Sequence, residues 1–461
     1  MRDQKVKVIT SKNVEDNIDN GTEGSYVENV NIGMFGFGYV GRAVFSLIQN
    51  QKGYLSKKIR RNLCVKTIVV KDVKKKRPIV DGLENVKISD NPSDIINDES
   101  IDIVIELIGG IEPAYQLVME ALSKGKYVVT ANKDLIANRG RELFKAAEEN
   151  NVDILFEGSV GGGIPIIGPL KSSLASNKIS KIVGIINGTT NYILTRMEKE
   201  GLAFEDALRK AQELGYAEKA NPSSDIEGDD AACKLAILAS ISFNSRIEYK
   251  DVYREGITRI TIDDIENARE MGYRIKLIAI GSEEDGKISV RVHPALIPED
   301  HILSSIDGAN NAVYVYGDYV GEVMSYGRGA GDRPTASSVV GDIIKIARNF
   351  DRKRKGMIYG CTCFETKELK SIDETVSRFY VLMDVTDRPG VLAKIAKVFG
   401  DNNVSIKSMV QKQTRHEGVA RIVFITHDVV NKNMYSSIEQ ISRLDVVDRV
   451  LNIIRVEDLG K

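Results

Sequence analysis

The spacing of apolar residues changes period along the chain, and the changes divide it. After a polar lead-in at residues 1–28, strand-length apolar runs begin at Val30 and recur at Val65–Val70, Ile101–Ile108, Tyr127–Thr130 and Ile154–Phe156. Between them the spacing turns helical, as at Val44, Leu47 and Ile48, over Pro113–Ser123 and over Arg139–Asn150. Alternating strands and helices over residues 29–160 predict an α/β unit with a doubly wound parallel sheet. Residues 161–335 read differently. Strands are expected at Ile179–Ile186, Leu277–Ile280, Ile288–Val292, Ala312–Tyr316 and Tyr319–Val323, and helices at Asn191–Glu200, Phe204–Leu214 and Asp230–Phe243, which makes a mixed α+β domain.

A helix at residues 336–350, with Val339, Val340, Ile343, Ile344, Ala347 and Phe350 on one side, is expected to return to the first domain and close a cleft. Residues 351–377 are charged and irregular and read as a linker. From 378 to 461 the order is βαββαβ: alternating Phe379, Val381, Met383 and Val385, a helix Val391–Gly400, strands Val404–Val410 and Ala420–His427, a helix Lys432–Ser442 and a strand Val450–Val456. That order predicts a separate ferredoxin-like domain, suited to binding or association.

Composition removes several function classes. Among 461 residues, 64 Lys+Arg balance 65 Asp+Glu, so no basic field argues for nucleic acid. No apolar run has the length of a membrane helix, and the chain starts without a basic-then-apolar signal, so a soluble cytoplasmic protein acting on small molecules is expected. Cys64, Cys233, Cys361 and Cys363 form no CxxC pair and His293, His301, His416 and His427 show no metal-ligand spacing, which leaves acid–base chemistry to lysines and carboxylates.

Gly36-Phe37-Gly38-Tyr39-Val40-Gly41 follows the first strand and opens a helix. In a Rossmann-type dinucleotide site the first glycine permits the turn, the second admits the pyrophosphate and the third lets helix pack on strand. At the next strand end Asp72 suits the ribose hydroxyls of NAD, while Lys71 and the Lys74–Arg77 run suit the extra phosphate of NADP or form a solvated loop. Lys133 follows Thr130-Ala131-Asn132 at a strand end, within reach of cofactor or substrate. Glu157-Gly158-Ser159-Val160-Gly161-Gly162-Gly163 offers carbonyls and one carboxylate to a hard cation, or else serves as a hinge. Asn187-Gly188-Thr189-Thr190-Asn191 holds a substrate carboxylate or carbonyl, or is a helix capped by Thr189 or Thr190. Gly327 to Thr335 is a second glycine-rich helix start. Finally, Glu213 to Phe243 brings Glu218, Asp225, Asp230 and Lys234 into a polar turn running into an apolar helix. Asp230 and Lys234, four apart, share one face, as a catalytic pair or an ordinary helical ion pair.

GFGYVG, ELIGGIEPA, TANKDLIA, FEGSVGGGIP, NGTTNYIL, ELGYAE, DIEGDDAACKLA and GAGDRPTASSVVGDIIKIA stand in the order found in homoserine dehydrogenases, and DRPGVLAKIAKVF with NNVSI resembles an ACT domain. The resemblance covers almost everything after residue 29. It implies NADPH- or NADH-dependent, reversible reduction of L-aspartate 4-semialdehyde to L-homoserine in threonine and methionine biosynthesis. It also implies roles for individual residues. Lys234 is the proton donor to the developing alkoxide, Lys133 sits between nicotinamide and substrate, Asp230 and Asp225 hold the substrate amino end and the lysine, and Glu218 and Thr189 complete the substrate site. Phe37, Gly38, Tyr39, Val40, Lys71, Thr130, Lys133 and Gly331 join Gly36 and Gly41 as cofactor contacts, and Glu157 with the Val160, Gly162 and Ile164 carbonyls matches a sodium site. The chain departs from the pattern at Glu218-Lys219-Ala220-Asn221-Pro222, one residue longer than the common GYAE-x-DP. Feedback inhibition by an amino acid, threonine by analogy, is expected near Asp387–Val391 and Asn402–Ile406 in a homodimer or homotetramer.

Two other classes compete. A phosphorylating semialdehyde dehydrogenase needs a cysteine nucleophile, for which only Cys233 is near the site, and about 100° round the helix from Lys234. A non-catalytic amino-acid sensor has no use for the retained lysines and carboxylates.

Overall fold

The computed structural model describes residues 28–75, 82–351, 355–413 and 418–459. The polar lead-in up to residue 27 and the Lys76-Arg77 end of the basic run lie outside them. Among the described residues no helix is long and apolar enough to cross a membrane.

The first sheet contains β1 (Asn29–Phe35), β2 (Asn62–Val69), β3 (Lys87–Ser89), β4 (Ile103–Glu106), β5 (Tyr127–Thr130) and β6 (Ile154–Leu155), all parallel, in the order β3-β2-β1-β4-β5-β6. Strand order reverses between β1 and β4, and in such sheets the ligand crevice opens beyond the carboxyl ends at the reversal. The glycine turn after β1 and Leu107–Gly110 after β4 line it. Burial on both faces explains the largely apolar runs: every residue of β4 and β5 is buried, Glu106 and Thr130 included.

Helix α1 (Tyr39–Asn50) follows the glycine turn, and α2 (Lys133–Glu149) follows β5. Periodicity places the start of α2 at Arg139, six residues late, because the first turn is set by a cap: the Asn132 side chain accepts from the Leu135 N–H.

The second domain contributes β7 (Ile179–Ile185), β8 (Tyr273–Glu284), β9 (Lys287–Pro298), β10 (Asn310–Gly317) and β11 (Gly321–Arg328), with helices α3 (Gly188–Glu200) and α4 (Asp229–Ser242) packed near it. The strand expected at Tyr319–Val323 begins instead at Gly321. Tyr319 and Val320 form the hairpin turn, where Asn177 accepts from the Val320 N–H, and the strand runs on to Arg328. Helix α5 (Asp332–Asn349) then crosses back to lie against α1.

The last part forms β12 (Val376–Thr386), α6 (Val391–Asp401), β13 (Ile406–Gln413), β14 (Val419–Thr426), α7 (Asn431–Ile441) and β15 (Val447–Val456). Its sheet is not separate from the one before. Arg455 and Val456 of β15 pair in parallel with Ala295 and Leu296 of β9, giving one path β11-β10-β7-β8-β9-β15-β12-β14-β13. One half-buried and one buried ion pair reinforce the join: Arg455 Nη1 lies 2.8 Å from Glu255 Oε1, and Arg291 Nη2 lies 3.2 Å from Glu457 Oε1. The segment read as a linker is also tied down, because Asp153 Oδ2 accepts the N–H groups of Ile358, Tyr359 and Gly360 at 2.9, 2.8 and 3.2 Å. Main-chain donors make these contacts, so side-chain patterning carries no trace of them.

Candidate active site

The glycine turn has the geometry its three roles require. Gly36 has φ +93°, and a Cβ there would stand 2.6 Å from the Leu107 carbonyl oxygen. A Cβ on Gly41 would stand 2.7 Å from the Gly36 carbonyl oxygen, so strand and helix could not approach. A Cβ on Gly38 would meet nothing within 4 Å, which leaves open space at the N-terminus of α1 for an anionic group. Phe37 turns inward against Phe45, Tyr39 is exposed and Val40 lines the cleft. Lys71 is exposed at the end of β2, and the Asp72 carboxylate accepts the Lys74 N–H at 2.8 Å.

A buried network beneath the crevice escaped the sequence reading. Glu106, fully buried at the end of β4, accepts from the Ile108 and Gly109 N–H groups at 2.7 and 3.2 Å and from the Thr130 hydroxyl at 2.6 Å. Thr130 Oγ1 in turn accepts the Asn132 N–H, and the Asn132 amide donates to the Gly110 carbonyl. Two strand-end turns are thereby held in one arrangement. Thr130 thus sits behind the crevice wall. The available signal was a glutamate inside an otherwise apolar strand.

On the opposite wall Asp230, near the N-terminus of α4, is buried among donors. Lys234 Nζ donates to Asp230 Oδ2 at 2.6 Å and to the Ile186 carbonyl at 3.0 Å. Lys133 Nζ, from the first domain, lies 3.3 Å from Asp230 Oδ1. Burial alone would raise the Asp230 pKa, but Lys234 and Lys133 outweigh it and hold the carboxyl below its ordinary value. Burial likewise opposes the charge on Lys133, yet Asp230 and Asp134 keep its pKa above the usual one.

Asn187 completes the cluster. Its Nδ2 donates to Asp225 Oδ1 at 2.7 Å and Asp230 Oδ2 at 2.8 Å, while its Oδ1 caps α3 by accepting from the Thr190 N–H at 2.8 Å. The cap is therefore Asn187 rather than Thr189 or Thr190. Asp225 is pushed up by burial and then by Asp230, so the pair leaves one carboxyl well ionised and the other less so. Lys133, Asp230 and Lys234 face a cleft of about 290 Å³ between the domains, closed on a third side by Gly329 and Ala330.

Thr189 stands beside this cluster, close enough to Asp225 to favour its charged form, and the remaining expected site residues lie around it. Thr189 donates its hydroxyl to the Tyr216 carbonyl at 2.7 Å, fixing the segment after it. Glu218 is solvent-exposed and does not line the cleft. The longer segment ends in a turn in which Asn221 accepts from the Ser223 N–H and hydroxyl, one turn before Asp225. Gly331, with φ +120°, caps the start of α5, next to Ala330, which lines the cleft. The Glu157 carboxylate accepts the Ile166, Ile167 and Gly168 N–H groups at 2.7, 2.8 and 2.7 Å, and the Gly162 carbonyl accepts the Ser338 hydroxyl at 2.6 Å. That donor set does not fit a cation held by this carboxylate, whatever the Val160 and Ile164 carbonyls offer. Cys233 is buried, which pushes its thiol up to about 12 and makes it a poor nucleophile.

Both domains that flank the cleft match known families. The family model described as "Homoserine dehydrogenase, NAD binding domain" matches residues 36–157, that described as "Homoserine dehydrogenase" matches 165–344, and an ACT domain matches 379–446. A homoserine dehydrogenase of Bacillus subtilis is 41% identical over 432 residues, covering 94% of this chain and 99% of its own. The chain belongs to the homoserine dehydrogenase family.

As in other homoserine dehydrogenases, the activity is NAD(P)-dependent oxidation and reduction at a CH–OH group, and the α/β, α+β and ACT parts follow in the expected order. The crystal structure of a homoserine dehydrogenase from Thiobacillus denitrificans superposes with a TM-score of 0.87 at 40% identity, covering 94% of this chain and 99% of that one. A hyperthermophilic archaeal homoserine dehydrogenase, described in complex with NADPH, gives a TM-score of 0.59 at 32% identity over 70% of this chain and 99% of its own.

Proposed function

We propose that the cleft reduces L-aspartate 4-semialdehyde to L-homoserine with Lys234 as proton donor. The observation that carries this is the convergence of Lys234, Lys133 and Asp230 from two domains on one cleft beside the glycine turn. A bound nicotinamide supplies the hydride. Lys234 then hands a proton to the alkoxide oxygen, which requires a donor at hydrogen-bond distance. Asp225 and Asp230 receive the substrate ammonium, and Asn187 holds both carboxylates in place. NADP is accepted: Lys71 is exposed just past the end of β2, where a basic side chain suits a 2′-phosphate, and a relative is described with NADPH. The test is loss of NADPH absorbance on adding aspartate semialdehyde; no loss with folded protein would sink the reading.

The amino-acid effector, threonine, binds the ACT part near Asp387–Val391 and Asn402–Ile406. These segments flank α6 at its two ends, roughly 16 Å apart at 1.5 Å per residue. One effector touches both only where two ACT domains pair, and β13, the outer strand of the sheet with exposed Met409 and Val410, supports such an assembly in a homodimer or larger oligomer.

A further inference from the structure

Outside the cleft, the described residues bring together a second reactive group that the dehydrogenase chemistry leaves unused. Cys361 and Cys363 lie two residues apart in the segment joining α5 to the ACT domain. Their Cα atoms are therefore at most about 7 Å apart, within the outer limit for a disulfide. The Cys363 N–H points at Cys361 Sγ, 3.5 Å away, so both sulfurs belong to one tight turn. Two cations stand beside it. Arg246 Nη2 lies 3.9 Å from Cys361 Sγ. Lys171, lying over the Phe144 and Phe156 rings and donating to the Gly360 carbonyl at 2.8 Å, lines the same small pocket.

Asp153, the carboxylate that attracts Lys171, is already covered by the three N–H groups of residues 358–360. The surroundings of Cys361 are thus electropositive, and the residue is exposed to solvent. Cys363 is less accessible, and its thiol reaches the Ser240 carbonyl on α4 at 3.7 Å. An exposed thiol among cations beside a second, sheltered thiol is the arrangement of an attacking and a resolving cysteine. The Cys363 thiol, its N–H, Arg246 and Lys171 together hold the Cys361 pKa below the ordinary thiol value.

We propose that Cys361 and Cys363 form a peroxide-reactive dithiol, with Cys361 as the attacking sulfur and Cys363 as the resolving one. The Cys361 thiolate attacks one oxygen of hydrogen peroxide; the O–O bond breaks, an S–OH forms and the departing hydroxide takes a proton to become water. Cys363 sulfur then attacks the sulfenic sulfur; the S–O bond breaks, and hydroxide leaves with the Cys363 proton as a second water. Two electrons from two thiols reduce one peroxide, and a dithiol reductant reverses the change.

The test uses the full-length enzyme, reduced, desalted and treated with hydrogen peroxide. Intact mass should fall by two hydrogens, mapped to the peptide joining Cys361 to Cys363 and restored by dithiothreitol. Under limiting iodoacetamide at neutral pH, Cys361 should alkylate on the order of ten-fold faster than Cys64. Arg246→Met should narrow that ratio. In Cys363→Ser, peroxide should leave a sulfenic acid at Cys361 trapped by dimedone. A wild-type protein that keeps its full mass, or in which Cys361 reacts no faster than Cys64, overturns the proposal without any variant having to fold.

Discussion

Lys133 meets Asp230 at 3.3 Å across the boundary between the dinucleotide domain and the catalytic domain. One residue opens α2, just past the end of β5, and the other comes from the first turn of α4, so the charge arrangement exists only when the two domains are docked. The same carboxylate also holds Lys234, and the three groups form the cleft's polar floor.

Removing Lys234 should therefore affect chemistry more than binding. Lys234→Ala is expected to lower kcat by about 10²- to 10⁴-fold, the range of a lost general acid, with NADPH affinity within a factor of about two of wild type by the separation of transition-state from ground-state contacts. Steady-state kinetics with fluorescence titration of NADPH separates the two. Equal losses in both quantities would point to collapse of the cleft instead.

Asn187 keeps two carboxylates side by side. Asn187→Ala leaves Asp225 and Asp230 without their shared donor, and the KM for aspartate semialdehyde should rise by about ten-fold, the equivalent of one hydrogen bond to a charged group. Asn187→Asp places a third carboxylate there and should be worse. An unchanged KM in both would show that the amide has no part in holding the substrate.

Asp342 gives a pH signature. Buried in α5, it accepts the Glu157 N–H at 2.8 Å, and burial pushes its pKa from 3.8 up to about 6 despite Lys345. Between those values the folded protein holds a proton that the unfolded chain has released, so stability falls as pH rises from about 4 to about 6 and is level above. The contribution is at most about 3 kcal/mol. Asp342→Asn should remove this fall, seen as a rising difference in Tm between variant and wild type across that window. Parallel Tm profiles would contradict the shift.

Deleting everything after about residue 376 looks from the sequence like a clean removal of the ACT domain that abolishes inhibition and spares turnover. In the folded protein it strips Glu457 from buried Arg291 and Arg455 from Glu255, and it uncovers an edge of β9. Breaking a buried pair in this way costs about 3 to 5 kcal/mol, so the truncated protein should show a lower Tm and reduced turnover. Point substitutions near Asp387–Val391, which leave β15 in place, should remove inhibition while preserving Tm. A truncation with wild-type Tm would mean that the shared sheet adds nothing to stability.

Much of this molecule was legible in order along the chain. Runs of mainly apolar residues located β1, β4 and β5, since a strand covered on both faces is largely apolar. The three glycines of the first turn were assigned the three roles that their backbone angles and missing Cβ atoms display. Asp230 and Lys234 share a helix face because four residues make about one turn. All of these are local: each depends on residues within a few positions.

The tertiary structure alone decided the rest. Lys133 finds Asp230, Asn187 finds Asp225, Asp153 gathers the N–H groups of residues 358–360 and β15 joins β9, each across 38 residues or more. Glu157 lies in a glycine stretch that fits a cation by composition, yet its carboxylate turns to backbone N–H donors nine to eleven residues away. Periodicity states which face of an element is buried. It does not say which distant donor meets a buried carboxylate, because that depends on how the elements dock, and docking follows from the shape of the whole core.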